Sequence, residues 1–218
     1  MPPRVHPAGN LSAMYPSETG GGTWIGVNAF GISLVLINWY SVSKRVATGA
    51  VTRGQVVTSV LPASSSEAVG RLLNELPLHR MHPFRLIGVF PSVRRVAEWQ
   101  WNQDQMERLD HAWKTSAWFS SGFDEPGVQV MRGETFRSAL QQQTAGTLEW
   151  LRRLHRSHSP ERSAYSICMH RNDAKTVSYT EVLATRTTAT MRYLPSCPCA
   201  RSNIEWRRRS APAIQLLL

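Results

Sequence analysis

Only three of the 218 residues are cysteine, and none precedes Cys168. Three late thiols cannot make the disulfide framework of a small secreted domain. A bridge between Cys197 and Cys199, across a single proline, would be strained, so free thiols are the expectation. Lysine is as scarce: Lys44, Lys114 and Lys175 are the only three among 25 basic residues, which leaves 22 arginines. No apolar run is long enough to span a bilayer. The opening "MPPRVHPAGN" has no apolar segment of the signal-peptide kind, and the final "AIQLLL" is too short for an anchor. Cytoplasmic is the default expectation.

What is present can bury a sizeable core: 42% of the residues are hydrophobic. One domain over residues 1–199 is expected, with an irregular basic tail over 200–218. The net charge of +10 is uneven: residues 1–144 carry +3 and residues 145–218 carry +7. Arg152-Arg153 and Arg207-Arg208-Arg209 could meet phosphate or an acidic partner. No interleaved aromatics or recognisable module accompany them, so a solvated arginine surface is expected rather than nucleic-acid binding.

Along the chain, residues 1–19 read as coil, because Pro2, Pro3, Pro7 and Pro16 deny ladder donors. Thr23–Asn28 and Ile32–Tyr40 form an apolar hairpin. A helix runs from near Arg53 to before Pro62. Ser64 and Glu67 then make a capping box for a helix with Val69, Leu72, Leu73 and Leu76 on one face. Strands follow at 84–90, 95–102, 105–109 and 117–120. Helices follow at 125–143, opening on Pro126, and 146–158, and strands at 165–171, 176–184 and 188–194. Hairpins and short connections favour α+β with antiparallel sheets.

Four stretches together resemble one family: "GGGTWIGVNAFG", "LINWY", "HRSHSPERSAYSICMHRNDAKTVSYTEV" and "MRYLPSCPC". They are similar to the NRDE, or transport and Golgi organisation, family, over about Pro2 to Cys199. The resemblance implies a four-layer αββα sandwich of two antiparallel sheets, the N-terminal-nucleophile hydrolase type of fold. It also implies an ancestral activity on linear amide bonds. In the related hydrolases an N-terminal cysteine attacks the amide and its own α-amine serves as base. This chain has neither a cysteine before Cys168 nor the Asn-Arg-Asp-Glu tetrapeptide. It reads as N-terminally shortened relative to the family and is expected to lack that hydrolysis. A sheet edge left exposed by the missing hairpin could drive self-association.

Asn38 resembles the strand-end asparagine that supplies an oxyanion donor in cholylglycine hydrolases. A plain strand-end role is the competing reading. Asn28 reads first as a turn former. The position of a second hydrolase asparagine falls in "AWFSSGFD", where this chain has Ser120 and Ser121. The alternative to a hydrolase is a non-enzymatic carrier of an apolar ligand such as haem or a lipid, which the resemblance also suggests. Its candidate ligand set is Trp24, Asn28, Trp99, Trp101, His170 and Arg171. Separately, His155 and His158 share a helix face and Cys168 and His170 share a strand face. Together they give four N/S donors of the kind zinc takes. The plainer reading, a polar seam with His170 and Arg171 bonded to Asp173, is preferred at this level.

Overall fold

A computed structural model describes residues 1–200 and 211–217. The chain divides into two compact units, where the sequence suggests one domain over 1–199. The first comprises Met1–Trp113, Thr180–Tyr193 and Ser210–Leu218; the second comprises Lys114–Tyr179 and Leu194–Arg209. Among the described residues the fold is α+β, with two antiparallel sheets of seven and three strands and four α-helices. Among the described residues, no helix is long and apolar enough to cross a membrane.

The first unit carries both sheets, except Tyr179 and Leu194 at the ends of two small-sheet strands. The large one is a meander in chain order: β1 (Arg4–Ala8), β2 (Leu11–Tyr15), β3 (Ile25–Asn28), β4 (Ser33–Asn38), β5 (Phe84–Phe90), β6 (Arg95–Trp101) and β7 (Met106–His111). Helices α1 (Gly54–Val60) and α2 (Ser66–Asn74) lie between β4 and β5 in the chain. The small sheet pairs β8 (Tyr179–Ala184) with β9 (Thr188–Leu194) and β9 with β10 (Ala213–Gln215).

The proline-rich start is not coil. β1 and β2 form a hairpin from Arg4↔Tyr15 to Ala8↔Leu11, and β2 is the upstream partner of β3. The two-residue loop is Gly9-Asn10, with Gly9 at φ +61°. Glycine first in a two-residue loop suits the right-handed twist of the flanking strands. Pro7 is accepted because β1 is the edge strand, where a missing donor faces no ladder partner. His6 stacks on Tyr15 at 4.0 Å across the hairpin. The tail is likewise not irregular throughout: Ala213–Gln215 is a strand, and Ile214 is buried. Arg207-Arg208-Arg209 lies outside the described residues.

Period-two alternation splits the large sheet into two apolar faces. Ala13, Leu34, Leu36, Phe84, Leu86, Phe90, Trp99 and Trp101 pack under Val56, Val57, Val60, Leu61, Val69 and Leu73 of the helical layer. Met14 and Val27 face the other way, onto Ala189, Met191 and Ile214 of the small sheet. Gly26 suits the first contact, because a Cβ there would lie 2.8 Å from Leu61 Cδ1 and force that side chain to shift. Asn28 joins the layers. Its Nδ2 donates to the carbonyls of Leu61 and Ala63, each at 2.8 Å. Its Oδ1 accepts from the N–H groups of Phe30 and Ile32 at 3.0 and 3.1 Å. On the small-sheet side of β6, buried Glu98 accepts from Arg85 and Gln100 and meets His111 Nε2 at 2.8 Å.

The second unit contains α3 (Glu125–Leu140) and α4 (Leu148–His155). Asp124 caps α3 by accepting from Gly127 N at 3.0 Å, and Thr147 caps α4 by accepting from Trp150 N at 3.2 Å. Trp150 Nε1 donates to Ala139 O at 2.9 Å and ties the two helices. Their core is small: Ala139, Trp150 and Leu154. Residues 117–120 and 165–171, read as strands from the sequence, are irregular apart from the bridge His170↔Lys175. Ser166 explains part of this. Its hydroxyl bonds the carbonyls of Ser163 and Cys168, and such local bonds compete with a ladder.

Asn28→Ala is expected to cost roughly 3–5 kcal/mol in urea unfolding, because it strands buried partners on both the turn and the helical layer. A loss under about 1 kcal/mol would show that the four bonds are not what fixes this junction. A second prediction concerns α2, whose cap is Ser65, one residue past the expected Ser64; its hydroxyl accepts from Ala68 N. The Glu67 N–H and the Ser66 hydroxyl hold the Glu67 carboxyl down, to about 2 from 4.5. A depressed carboxylate contributes stability above its unfolded value and loses it as pH falls through the folded one. Glu67→Gln is therefore expected to lower Tm most above pH 4.5, by a shrinking amount as pH falls toward 2, where the effect is small. A difference that persists unchanged at pH 2 would contradict this assignment.

Candidate functional site

The residues singled out by sequence fall into two separate groups. Asn38 ends β4 opposite Phe84. Its Nδ2 donates to Tyr40 Oη at 2.8 Å. Asn28 is fully buried and spends its amide on the four backbone bonds above, so it is a structural residue and not a ligand contact. Trp24 lies 6.3 Å from Tyr193, ring to ring, and its carbonyl accepts from Leu36 N at 2.8 Å. Ser121 Oγ accepts from Phe123 N at 3.2 Å in a local turn, and the Ser120 carbonyl accepts from Arg132.

Trp99 and Trp101 do share a face, but it is the face under the helices. Trp99 is 2% exposed and meets Phe90 edge-on at 6.3 Å. Trp101 is also buried and donates Nε1 to Met81 O at 3.1 Å. The apolar groove expected from these two rings is filled by the core itself. Burial on this scale makes Trp99→Ala cost about 3–5 kcal/mol in stability. Unchanged urea stability would instead mark the ring as free for a ligand.

The second group lies wholly in the second unit. Arg171 pairs with Asp173 through Nε–Oδ1 at 2.8 Å and sets its guanidinium 5.2 Å from the Phe123 ring centroid. His155 turns to Tyr179, ring centroids 5.0 Å apart, and is not among the converging donors. His158, Cys168 and His170 do converge, and they are joined by Cys199, all donor atoms lying within 4.8 Å of one another. Cys197 completes the cluster. Its Sγ is 3.1 Å from Cys168 Sγ and 3.1 Å from Cys199 Sγ. His170 Nε2 stands 3.8, 3.6 and 3.4 Å from the sulfurs of Cys168, Cys197 and Cys199.

Local structure places each donor. Cys168 N donates to Ser157 O, and His170 N to Ser163 O, which folds the irregular segment back beneath the end of α4. Pro198–Ala200 makes one 3-10 turn, closed by Ala200 N on Cys197 O at 3.0 Å. That turn presents Cys197 and Cys199 together. His158 and His170 rings lie 5.0 Å apart, and buried His158 Nε2 has no hydrogen-bond partner. Burial and the neighbouring thiols push the Cys168 thiol well up. Burial also pushes Cys197 up, but hydrogen bonds from Cys168 and Cys199 more than offset it and hold Cys197 below the ordinary thiol value. Burial, then the charges of Arg162, His158 and Lys175, hold His170 below the usual imidazole value.

A comparison with protein-family models matches residues 8–172 to the family described as Transport and Golgi organisation 2. The chain belongs to this family. A search of curated proteins finds no match. The matched span covers β2 to β7 of the large sheet, α1 to α4 and the Cys168–His170 segment, and ends before Cys197 and Cys199.

Proposed function

We propose that this chain is a non-hydrolytic member of its family, a scaffold of the N-terminal-nucleophile hydrolase type that acts by binding and not by amide turnover. The paired antiparallel sheets of the first unit, with α1 and α2 on the outer face of the large one, support the scaffold assignment. The observation that carries the loss of turnover is where the thiols are. All three belong to the second unit and to one cluster, and the sheet unit holds none. A thiol mechanism needs a nucleophile and an oxyanion donor converging on one carbonyl. The Asn38 amide, the residue matched to that donor, gives its N–H to Tyr40 in its own unit. Among the described residues of the sheet unit, no thiol therefore stands with the Asn38 amide for the ancestral chemistry on linear amides.

The test is direct. Purified chain incubated with penicillin V and with a bile-acid glycine conjugate is expected to release no amine above the buffer control. Turnover that iodoacetamide abolishes would overturn the reading.

A further inference from the structure

We infer that Cys168, Cys197, Cys199 and one imidazole of the His158–His170 pair form a zinc site that organises the second unit. The donor types come first: three thiols and an imidazole are a closed structural set for zinc. Geometry comes next. Zinc–sulfur and zinc–nitrogen bonds of about 2.3 and 2.05 Å in a tetrahedron place sulfur and nitrogen about 3.6 Å apart. His170 Nε2 stands 3.8, 3.6 and 3.4 Å from the three sulfurs. The same tetrahedron sets sulfurs about 3.8 Å apart. The two sulfur pairs at 3.1 Å need only a small spreading to admit the ion. They are far beyond the ~2.05 Å of a disulfide.

A second, independent observation is His158. Its buried Nε2 lacks a partner, although a buried imidazole nitrogen ordinarily finds one, and the residue offers a ring nitrogen to the same group. Charge balance is also provided. Zinc(II) with three thiolates and a neutral imidazole carries a formal charge of −1, the thiol protons going to solvent. Exposed Arg162 stands 3.1 Å from His170 Nδ1, and a backbone bridge between His170 and Lys175 brings a second basic residue alongside. When zinc takes Nε2, Nδ1 carries the ring proton, and the Arg162 hydrogen bond to Nδ1 is given up.

The unit has a reason to need such a clamp. Residues 156–178 contain no described helix or strand, and the buried clusters nearby are Ala139, Trp150 and Leu154, and Tyr179 with Leu194. A weak core is where a metal that joins distant segments contributes most. Here the ion would join Cys168 to Cys197 and Cys199, with its fourth ligand drawn from His158 or His170.

Full-length protein purified with reductant is expected to hold about one zinc per chain by elemental analysis. Cobalt(II) exchanged into it should give thiolate charge-transfer absorption and intense tetrahedral d–d bands. Cys199→Ser and the His158→Ala/His170→Ala double variant should each weaken zinc retention against a competing chelator at least about tenfold. His155→Ala should not. Chelation of the wild-type protein should speed hydrogen exchange across residues 157–176, a readout that no variant's misfolding can mimic. Reduced wild-type protein that neither contains nor takes up zinc overturns the inference. So does zinc retention unchanged by Cys199→Ser, or a Cys168–Cys197 disulfide in metal-free protein whose exchange is insensitive to chelator.

Discussion

The side chain of Asn28 is the contact on which the first unit turns. A buried amide has two donors and two acceptor positions, and each one left unmet is costly. Here all four are used, two on the β3–β4 turn and two on the segment that links α1 to α2. The helical layer is thus hydrogen-bonded to the sheet at one fixed point. Gly26, two residues earlier on the same face, lets Leu61 come down onto the strand. With the helices set at that height, Trp99, Phe90 and Leu86 fill what lies beneath them.

The second unit is built on other terms. Its helices are held by side-chain caps and by one indole bond, and its connecting segments are shaped by serine and threonine bonds to nearby backbone. Such bonds specify local geometry but bury little apolar surface. The soft donors gather in this unit, which lies between β7 and β8 in the chain and is completed by the segment after β9. Extensive apolar packing and soft-donor chemistry are therefore allotted to different stretches of sequence.

Much of the first unit is legible in the sequence because its elements are periodic. The strands at 84–90 and 188–194 have the bounds expected, and α2 shows its apolar face and its cap to within a residue. The first hairpin is not read because prolines are counted as strand breakers, although Pro7 on an edge strand breaks nothing. The signal that could have found it is Gly9-Asn10 between two runs with strand character. The cluster is half legible. His155 and His158 are joined by a helical-face argument, but α4 ends at His155. Beyond that point the period of 3.6 no longer says where a side chain goes, and His158 is placed by the loop instead.

Cys197 and Cys199 are passed over for an instructive reason. As each other's disulfide partners they would be strained across Pro198. For the proposed zinc site the proline has the opposite effect. Its fixed φ favours a tight 3-10 turn, and that turn presents both sulfurs within 3.1 Å of each other without joining them. A Cys-Pro-Cys that cannot close a good disulfide is thereby kept as two free donors. The same stiffness that excludes one chemistry pre-organises the other, and it supplies the cluster with two of its three sulfurs.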